Sequence, residues 1–597
     1  MTFSNNMLFF LVRRTWRYAG EARPRMALIY VMFTVANTIA AFQPVVFARI
    51  VNAAQKGGSD ALHDALLWSG IYGLVTFSFW ILHGPARVVE RRLGFIVFRN
   101  FVTSLYRKVT EMPLRWHQDH HSGGTINRVN KAGRALFNFA QGQFIIIQSI
   151  VRFSVSLAVL AWYSWWVAAV SIVVSVVIVA VIRRFDKALI PIILKGNERE
   201  HHLNAALYDY IGNIITVLTL RLQGNTAAEI DNRFGAIKSS FWHEVVVNEW
   251  KWGSVNLVMI ATQAVIVGTY VGLHLWRGEI LEIGTVVAIF QYLFMIMQIF
   301  FAGMLIFEQL MHQQLDVHGI DGLLDDHARL SKSAIAATRS WREIRIEGLT
   351  FTHQEGEDVL HTLREIDLTI MARQKIAFIG QSGSGKTTLL TLLRGLYDAQ
   401  NVRLLVDGER YESLAPLAGF TTLVPQDSEI FENTIHYNLT LDTEVPDATV
   451  EQALSITTFN DVAAKLPQGL LTDIRERGVN LSGGQKQRLA LARGLIAARG
   501  SSLLLLDEPT SNVDLPTEGV IFDRLFAAFG DKTIIASIHR LHLLPRFDRI
   551  CLMQNGLLTE QGSFADLLAK RGAFYELWQH HLVHNMSAGD GQDRENQ

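Results

Sequence analysis

The chain has 597 residues, of which 49% are hydrophobic and only 18% charged, below the roughly 25% charged of ordinary soluble domains. Lys and Arg together number 55 and Asp and Glu together 55, so no net charge directs the chain to nucleic acid. One cysteine, Cys551, excludes a disulfide framework and a zinc cluster.

The N-terminus reads as a basic, aromatic lead-in (Arg13, Arg14, Trp16, Arg17) and not as a cleaved signal peptide. Six apolar segments follow, over 26–48, 65–88, 142–163, 165–182, 252–275 and 284–307, each near the ~20 residues that cross a bilayer. Arginines and lysines crowd the stretch before the first segment and those after the second and fourth, while the opposite connections carry little beyond Lys56 and Arg277. Both termini and the two long connections are therefore expected in the cytoplasm. Those connections, 90–141 and 183–250, are too long and too helical in pattern for loops. They read as membrane helices continued into the cytoplasm, each broken once. The first break surrounds Leu114 to His121, and the second, from Tyr208 to Ile215, centres on Gly212. Each break is a candidate short cross-helix. His117, His120 and His121 invite a metal reading, but no carboxylate or cysteine set completes one.

The spans carry scattered polar groups: Asn37, Gln43, Gln148, Arg152, Asn256, Gln263, Gln291 and Gln298. Arg152 falls mid-span, with Gln148 one turn before it on the same face. A mid-membrane arginine is costly. It reads either as an anchor for an acidic or phosphorylated amphiphile or as a structural pair, and both stay open. Gln291 and Gln298 complete the candidate cargo residues.

From Trp341 the pattern alternates as strands do and becomes an α/β domain. The expected division is a membrane domain over 1–320, a linker over 321–340, an α/β domain over 341–580 and a disordered polar tail over 581–597. Within the α/β part, the apolar run Lys375-Ile376-Ala377-Phe378-Ile379 feeds Gly380-Gln381-Ser382-Gly383-Ser384-Gly385-Lys386-Thr387-Thr388, and a helical pattern follows. Strand, glycine loop and helix are what a phosphate cradle requires. Backbone N–H groups and the helix start hold phosphate oxygens, Lys386 reaches the β- and γ-phosphates, and Thr387 ligates Mg²⁺. A second apolar strand ends in Asp507-Glu508. Asp507 is the expected Mg²⁺ partner and Glu508 the general base that polarises water. Leu481-Ser482-Gly483-Gly484-Gln485 opens another helix. It makes a second anion site, which one domain cannot use and a partner's nucleotide can.

This order of motifs, with Gln426 and His539, resembles the ATP-binding cassette superfamily, and the six spans make it similar to an exporter-type half-transporter. The resemblance implies a six-helix all-α membrane domain with cytoplasmic extensions, joined to an α/β phosphate-loop ATPase that binds ATP and Mg²⁺. It also implies a dimer with a second half-transporter in the bacterial inner membrane, in contact with lipid and with an amphipathic, lipid-like, peptide or drug-like cargo. A homodimer is the simpler form and a heterodimer the alternative. By the same resemblance Gln426 contacts Mg²⁺, His539 contacts the γ-phosphate, and Ser511-Asn512-Val513-Asp514 couples the two sites. Arg475-Glu476-Arg477-Gly478 would touch the partner's membrane domain. His353 stands where the family usually stacks an aromatic ring on adenine. Export or lipid flipping is the leading reading; an importer built on the same fold and a non-transporting ATPase sensor are the alternatives.

Overall fold

The computed structural model describes residues 7–592 apart from 59, 121, 331–339, 356–357, 428 and 475–480. The chain divides into two compact units, one running to Glu111 and resuming over His120–Arg329, the other taking Met112–Asp119 and everything from Leu330.

The first unit is all helix: α1 (Met7–Ala19), α2 (Arg23–Ala41), α3 (Gln43–Lys56), α4 (Ala61–Thr110), α6 (Ser122–Tyr163), α7 (Trp165–Gly212), α8 (Ile214–Thr219), α9 (Gln223–Trp276), α10 (Ile283–His318) and α11 (Asp321–Leu330). The short α5 (Leu114–Asp119) belongs to the second unit. Six helical passes among the described residues are long and apolar enough to cross a membrane. The first is not one rod. Pro44 opens α3, and the Phe42 N–H turns back to Ile39 O at 3.2 Å, so α2 and α3 meet at a break. The second cross-helix, α8, lies just beyond Gly212, because the chain leaves helical geometry at Asn213 and restarts at Ile214.

Some polar groups of the spans join helices: Gln43 donates to Thr76 Oγ1 at 3.1 Å and Gln263 to Phe290 O at 3.3 Å. Asn37 instead donates within its own helix, to Phe33 O at 2.9 Å. Tyr292 donates its hydroxyl to Ala41 O at 2.8 Å. At the far end of α3, Asn52 Oδ1 accepts the Gly284 N–H at 2.7 Å, and a Cβ on Gly284 would meet Ala48 O at 2.1 Å. Only glycine permits that approach.

The second unit is α/β: β1 (Glu343–Glu355), β2 (Asp358–Met371), β3 (Lys375–Ile379), α12 (Lys386–Leu393), β4 (Asn401–Val406), β5 (Glu409–Tyr411), β6 (Thr421–Val424), α13 (Ile435–Thr440), α14 (Asp447–Ile456), α15 (Asn460–Ala463), α16 (Gly483–Ala497), β7 (Leu503–Asp507), α17 (Leu515–Ala528), β8 (Thr533–Ser537), β9 (Arg549–Gln554), β10 (Leu557–Gly562), α18 (Phe564–Lys570) and α19 (Ala573–Gln592). One sheet runs β2-β1-β4-β5 and is antiparallel; the other runs β10-β9-β3-β8-β7-β6 and is parallel except at β10. β3, β7 and β8 are buried at every position, and their central residues are apolar. Cys551 lies inside this core, and burial pushes its thiol up to about 12.

α11 occupies the start of the expected linker; 331–339 lie outside the described residues. α19 continues into the expected tail as far as Gln592, anchored where Phe574 is buried and Trp578 packs edge-on to Phe564.

Candidate functional site

The carboxyl ends of β3, β7 and β8 converge, and open parallel sheets present ligands there. β3 delivers the glycine loop. A Cβ on Gly380 would lie 2.2 Å from Met553 O, and Gly383 and Gly385 have φ of 80° and 102°, where side chains are disfavoured. Gln381, Ser382 and Gly383 are exposed, while Ser384, Gly385 and Lys386 are buried. The Lys386 ammonium folds over the loop, donating to Gly380 O at 2.9 Å and Gln381 O at 3.1 Å. Burial pushes its pKa down, against the pull of Glu508 and Asp507. Thr387 and Thr388 open α12.

Asp507 ends β7 and faces this loop. Burial pushes its carboxyl up, against a hydrogen bond from Thr387. Its Oδ1 is buried without a partner. A buried carboxylate oxygen left unsatisfied beside a threonine hydroxyl suits a hard divalent cation. With the exposed loop N–H groups and Lys386, the residues present fit a Mg²⁺-bound triphosphate.

Glu508 follows at φ 46°, a left-handed conformation uncommon outside glycine and found at functional turns. One of its carboxylate oxygens lies 2.5 Å from His539 Nε2; the other accepts from Gln426 Nε2 at 3.0 Å. Three side chains from three separate chain segments therefore meet at one carboxylate. That arrangement can orient a water and take its proton.

The second glycine turn starts α16. Ser482 and Gln485 form a reciprocal cap, with Ser482 N–H to Gln485 Oε1 at 2.9 Å and Gln485 N–H to Ser482 Oγ at 3.3 Å. Their side chains are spent on the helix, which leaves the glycine backbone as the open anion surface. Gly483 is exposed, and a Cβ on Gly484 would meet Asn512 O at 2.6 Å. Asp514 caps α17 through Thr517 N–H at 3.0 Å, and the Thr517 side chain, followed by that backbone bond, lowers its pKa.

Three residues that the motifs did not single out organise the site. Gln487, buried in α16, donates to Glu508 O at 2.8 Å and Ser511 Oγ at 2.9 Å and accepts the Asn512 N–H at 2.8 Å. Arg540 donates to Val513 O at 2.6 Å and Ser511 O at 3.1 Å. It also pairs at 3.2 Å with Glu518, which accepts the Thr510 hydroxyl at 2.5 Å. The adjacency of Arg540 to His539 was the one signal available in sequence. Gln487 and Glu518 carried no such signal.

The cross-helix α5 packs as part of this unit, with Tyr397 donating its hydroxyl to Gln118 Oε1 at 2.7 Å. His353 lies on β1 opposite Leu360, with its side chain outside the described residues, as are His121 and residues 475–480. In the membrane unit, no hydrogen bond among the described residues joins Gln148, Arg152, Gln291 and Gln298; Arg152 Nε is buried without a partner.

The ABC transporter transmembrane region model matches residues 26–300, and the ABC transporter model matches residues 363–511. An ATM1-type heavy metal exporter of Novosphingobium aromaticivorans is 26% identical over 567 residues, covering 92% of this chain and 91% of that protein. A putative multidrug export ATP-binding/permease protein of Staphylococcus aureus is 25% identical over 521 residues, covering 85% and 88%. The structure of a bacterial Atm1-family ABC exporter with ATP bound superposes with a TM-score of 0.81 over 94% of this chain and 98% of that one, at 24% identity, which shows a shared fold. With six apolar passes ahead of one ATP-binding domain, this multi-pass membrane chain belongs to the ATP-binding cassette superfamily as an exporter-type half-transporter.

Proposed function

We propose that the protein hydrolyses ATP to export or flip an amphipathic compound across the plasma membrane, as a homodimer with both termini in the cytoplasm. The observation that carries this reading is Glu508 held between Gln426 and His539 at the end of β7, beside the phosphate loop. Thr387 and Asp507 would hold Mg²⁺, with Gln426 within reach of it, and the ion would neutralise charge building on the phosphates. Lys386 turns from the loop carbonyls to phosphate oxygens. Glu508 orients water and accepts its proton, and His539 fixes the carboxylate and donates toward phosphate.

The glycine backbone of Gly483-Gly484 is the anion surface offered to the partner copy's nucleotide. Ser511 to Asp514, tied to Glu508 through Gln487, links that surface to the base. Closure on two nucleotides moves the cross-helices, and the membrane half is the two-state element they bias. The relatives' names, heavy-metal export and multidrug export, support outward movement and differ in cargo. Arg152, with an unpartnered buried Nε, and Gln148, Gln291 and Gln298 are the proposed cargo contacts within the spans.

The test is reconstitution into liposomes with ATP supplied on the ATPase side. ATP-dependent, vanadate-sensitive movement of a fluorescent amphiphile, lost in Lys386→Ala, is the expected result. Vanadate-sensitive hydrolysis that drives no movement and responds to no amphiphile would overturn it.

A further inference from the structure

We propose that a cavity of about 420 Å³ among α4, α6 and α10 is a binding site for an amphipathic anion, its carboxylate or phosphate head on Arg91 and its tail on the apolar wall. This deepens the transport reading and rests on it. The polar lining is Arg87 and Arg91 from α4, Asn138 and Gln141 from α6, and Gln309 and Gln313 from α10, with no acidic side chain among the lining residues. The rest is aromatic and aliphatic, Phe144 and Ile306 among it.

Two features make this a built site. Arg87 is immobilised: it pairs with the buried Glu90, donates to Gln141 O at 2.8 Å and lies 3.7 Å over the Phe144 ring. Glu90 in turn accepts the Phe144 N–H at 2.9 Å. Arg87 and Glu90 cancel, so Arg91, one turn on, supplies the surplus positive charge. Arg91 is exposed and makes no ion pair or hydrogen bond of its own among the described residues. The second feature is Gln313. It is 6% exposed and lines the cavity. Its amide N–H₂ is a donor that an acidic head in the cavity can accept from.

Sign sets the selectivity. A guanidinium presents paired donors that match carboxylate or phosphate. At a membrane boundary the low dielectric strengthens that attraction and the matching repulsion of a cation. The apolar wall takes an alkyl or aryl tail. The cavity lies at the span ends read as cytoplasmic, on the side where an amphiphile in the inner leaflet presents its head.

The experiment uses the full chain in phosphatidylcholine nanodiscs. ATPase rate is followed against decanoate and decyltrimethylammonium below their micellar concentrations, decanol below its solubility limit, and acetate. Decanoate is expected to change the rate at the lowest concentration. Arg91→Gln is expected to raise its half-maximal concentration about tenfold, or about 1.4 kcal/mol, with basal rate unchanged, and Gln313→Leu to raise it also. Arg92→Gln, on the neighbouring exposed arginine, is expected to leave it unchanged. Equal response to decyltrimethylammonium, decanol or acetate would overturn the inference, as would an Arg91→Gln curve matching the parent or the Arg92→Gln variant. Absence of vanadate-sensitive basal hydrolysis in the parent would sink the transport reading instead.

Discussion

Replacing Arg540 by methionine tests whether the loop behind Glu518 depends on one cation. Arg540 reaches two backbone carbonyls and the Glu518 carboxylate, whose side chain is 4% exposed. The remaining partners of Glu518 are the Thr510 hydroxyl at 2.5 Å and His542 Nε2 at 3.6 Å. Burial pushes the His542 pKa down, so that imidazole stays neutral near pH 7 and supplies no replacement charge. A buried carboxylate stripped of its cation costs about 3–5 kcal/mol. At about 2–4 °C per kcal/mol for a domain of this size, the apparent Tm of the C-terminal domain should fall by about 6–20 °C. The assay is thermal unfolding of the purified protein in detergent, followed by a nucleotide-site probe. Arg540→Met combined with Glu518→Met should recover most of the loss, because replacing both members of a buried pair is often neutral. A single variant that melts with the parent, or a double variant that melts at the sum of the two single losses, would refute the reasoning.

Glu508→Gln keeps the shape beside Gln426 and His539 and removes the base; kcat should fall about 10²–10⁴-fold with ATP binding retained, measured by hydrolysis rate and nucleotide-analogue titration. Gly484→Ala drives a Cβ against Asn512 O and should cost about 1–3 kcal/mol of stability. Gly483→Ala, whose Cβ meets nothing nearer than 4.0 Å, should melt with the parent. Because burial raises the Asp507 pKa, protons compete with Mg²⁺ there as pH falls. The Mg²⁺ concentration giving half-maximal hydrolysis should rise as pH falls, and Asp507→Asn should flatten that dependence in binding measurements.

Much of this was legible because local sequence demands it. The runs at β3 and β7 are apolar at every position where a doubly covered strand needs them, and the glycines of the phosphate loop mark a close backbone approach and positive φ. The break expected from Leu114 to His121 starts where α5 starts, and α5 ends two residues sooner, at Asp119. What the sequence did not reveal is long-range. Gln487 holds Glu508, Ser511 and Asn512 through one amide, and nothing near it in sequence says so. Asn37, Gln43 and Gln263 read only as scattered polar groups of the spans, and each bonds to a carbonyl or hydroxyl of the bundle. The membership of α5 in the second unit depends on contacts such as Tyr397 with Gln118, far apart in the chain.

Cross-linking between copies tests the shared nucleotide site most directly. Ser382 and Gly483 are both exposed, whereas Cys551 is buried with its thiol pushed up to about 12, so the native cysteine stays unreactive. In Ser382→Cys/Gly483→Cys carrying Glu508→Gln, a short bis-maleimide should give a covalent dimer with ATP and Mg²⁺ and little without them. Cross-links confined to single chains, or a dimer yield indifferent to ATP, would contradict the account.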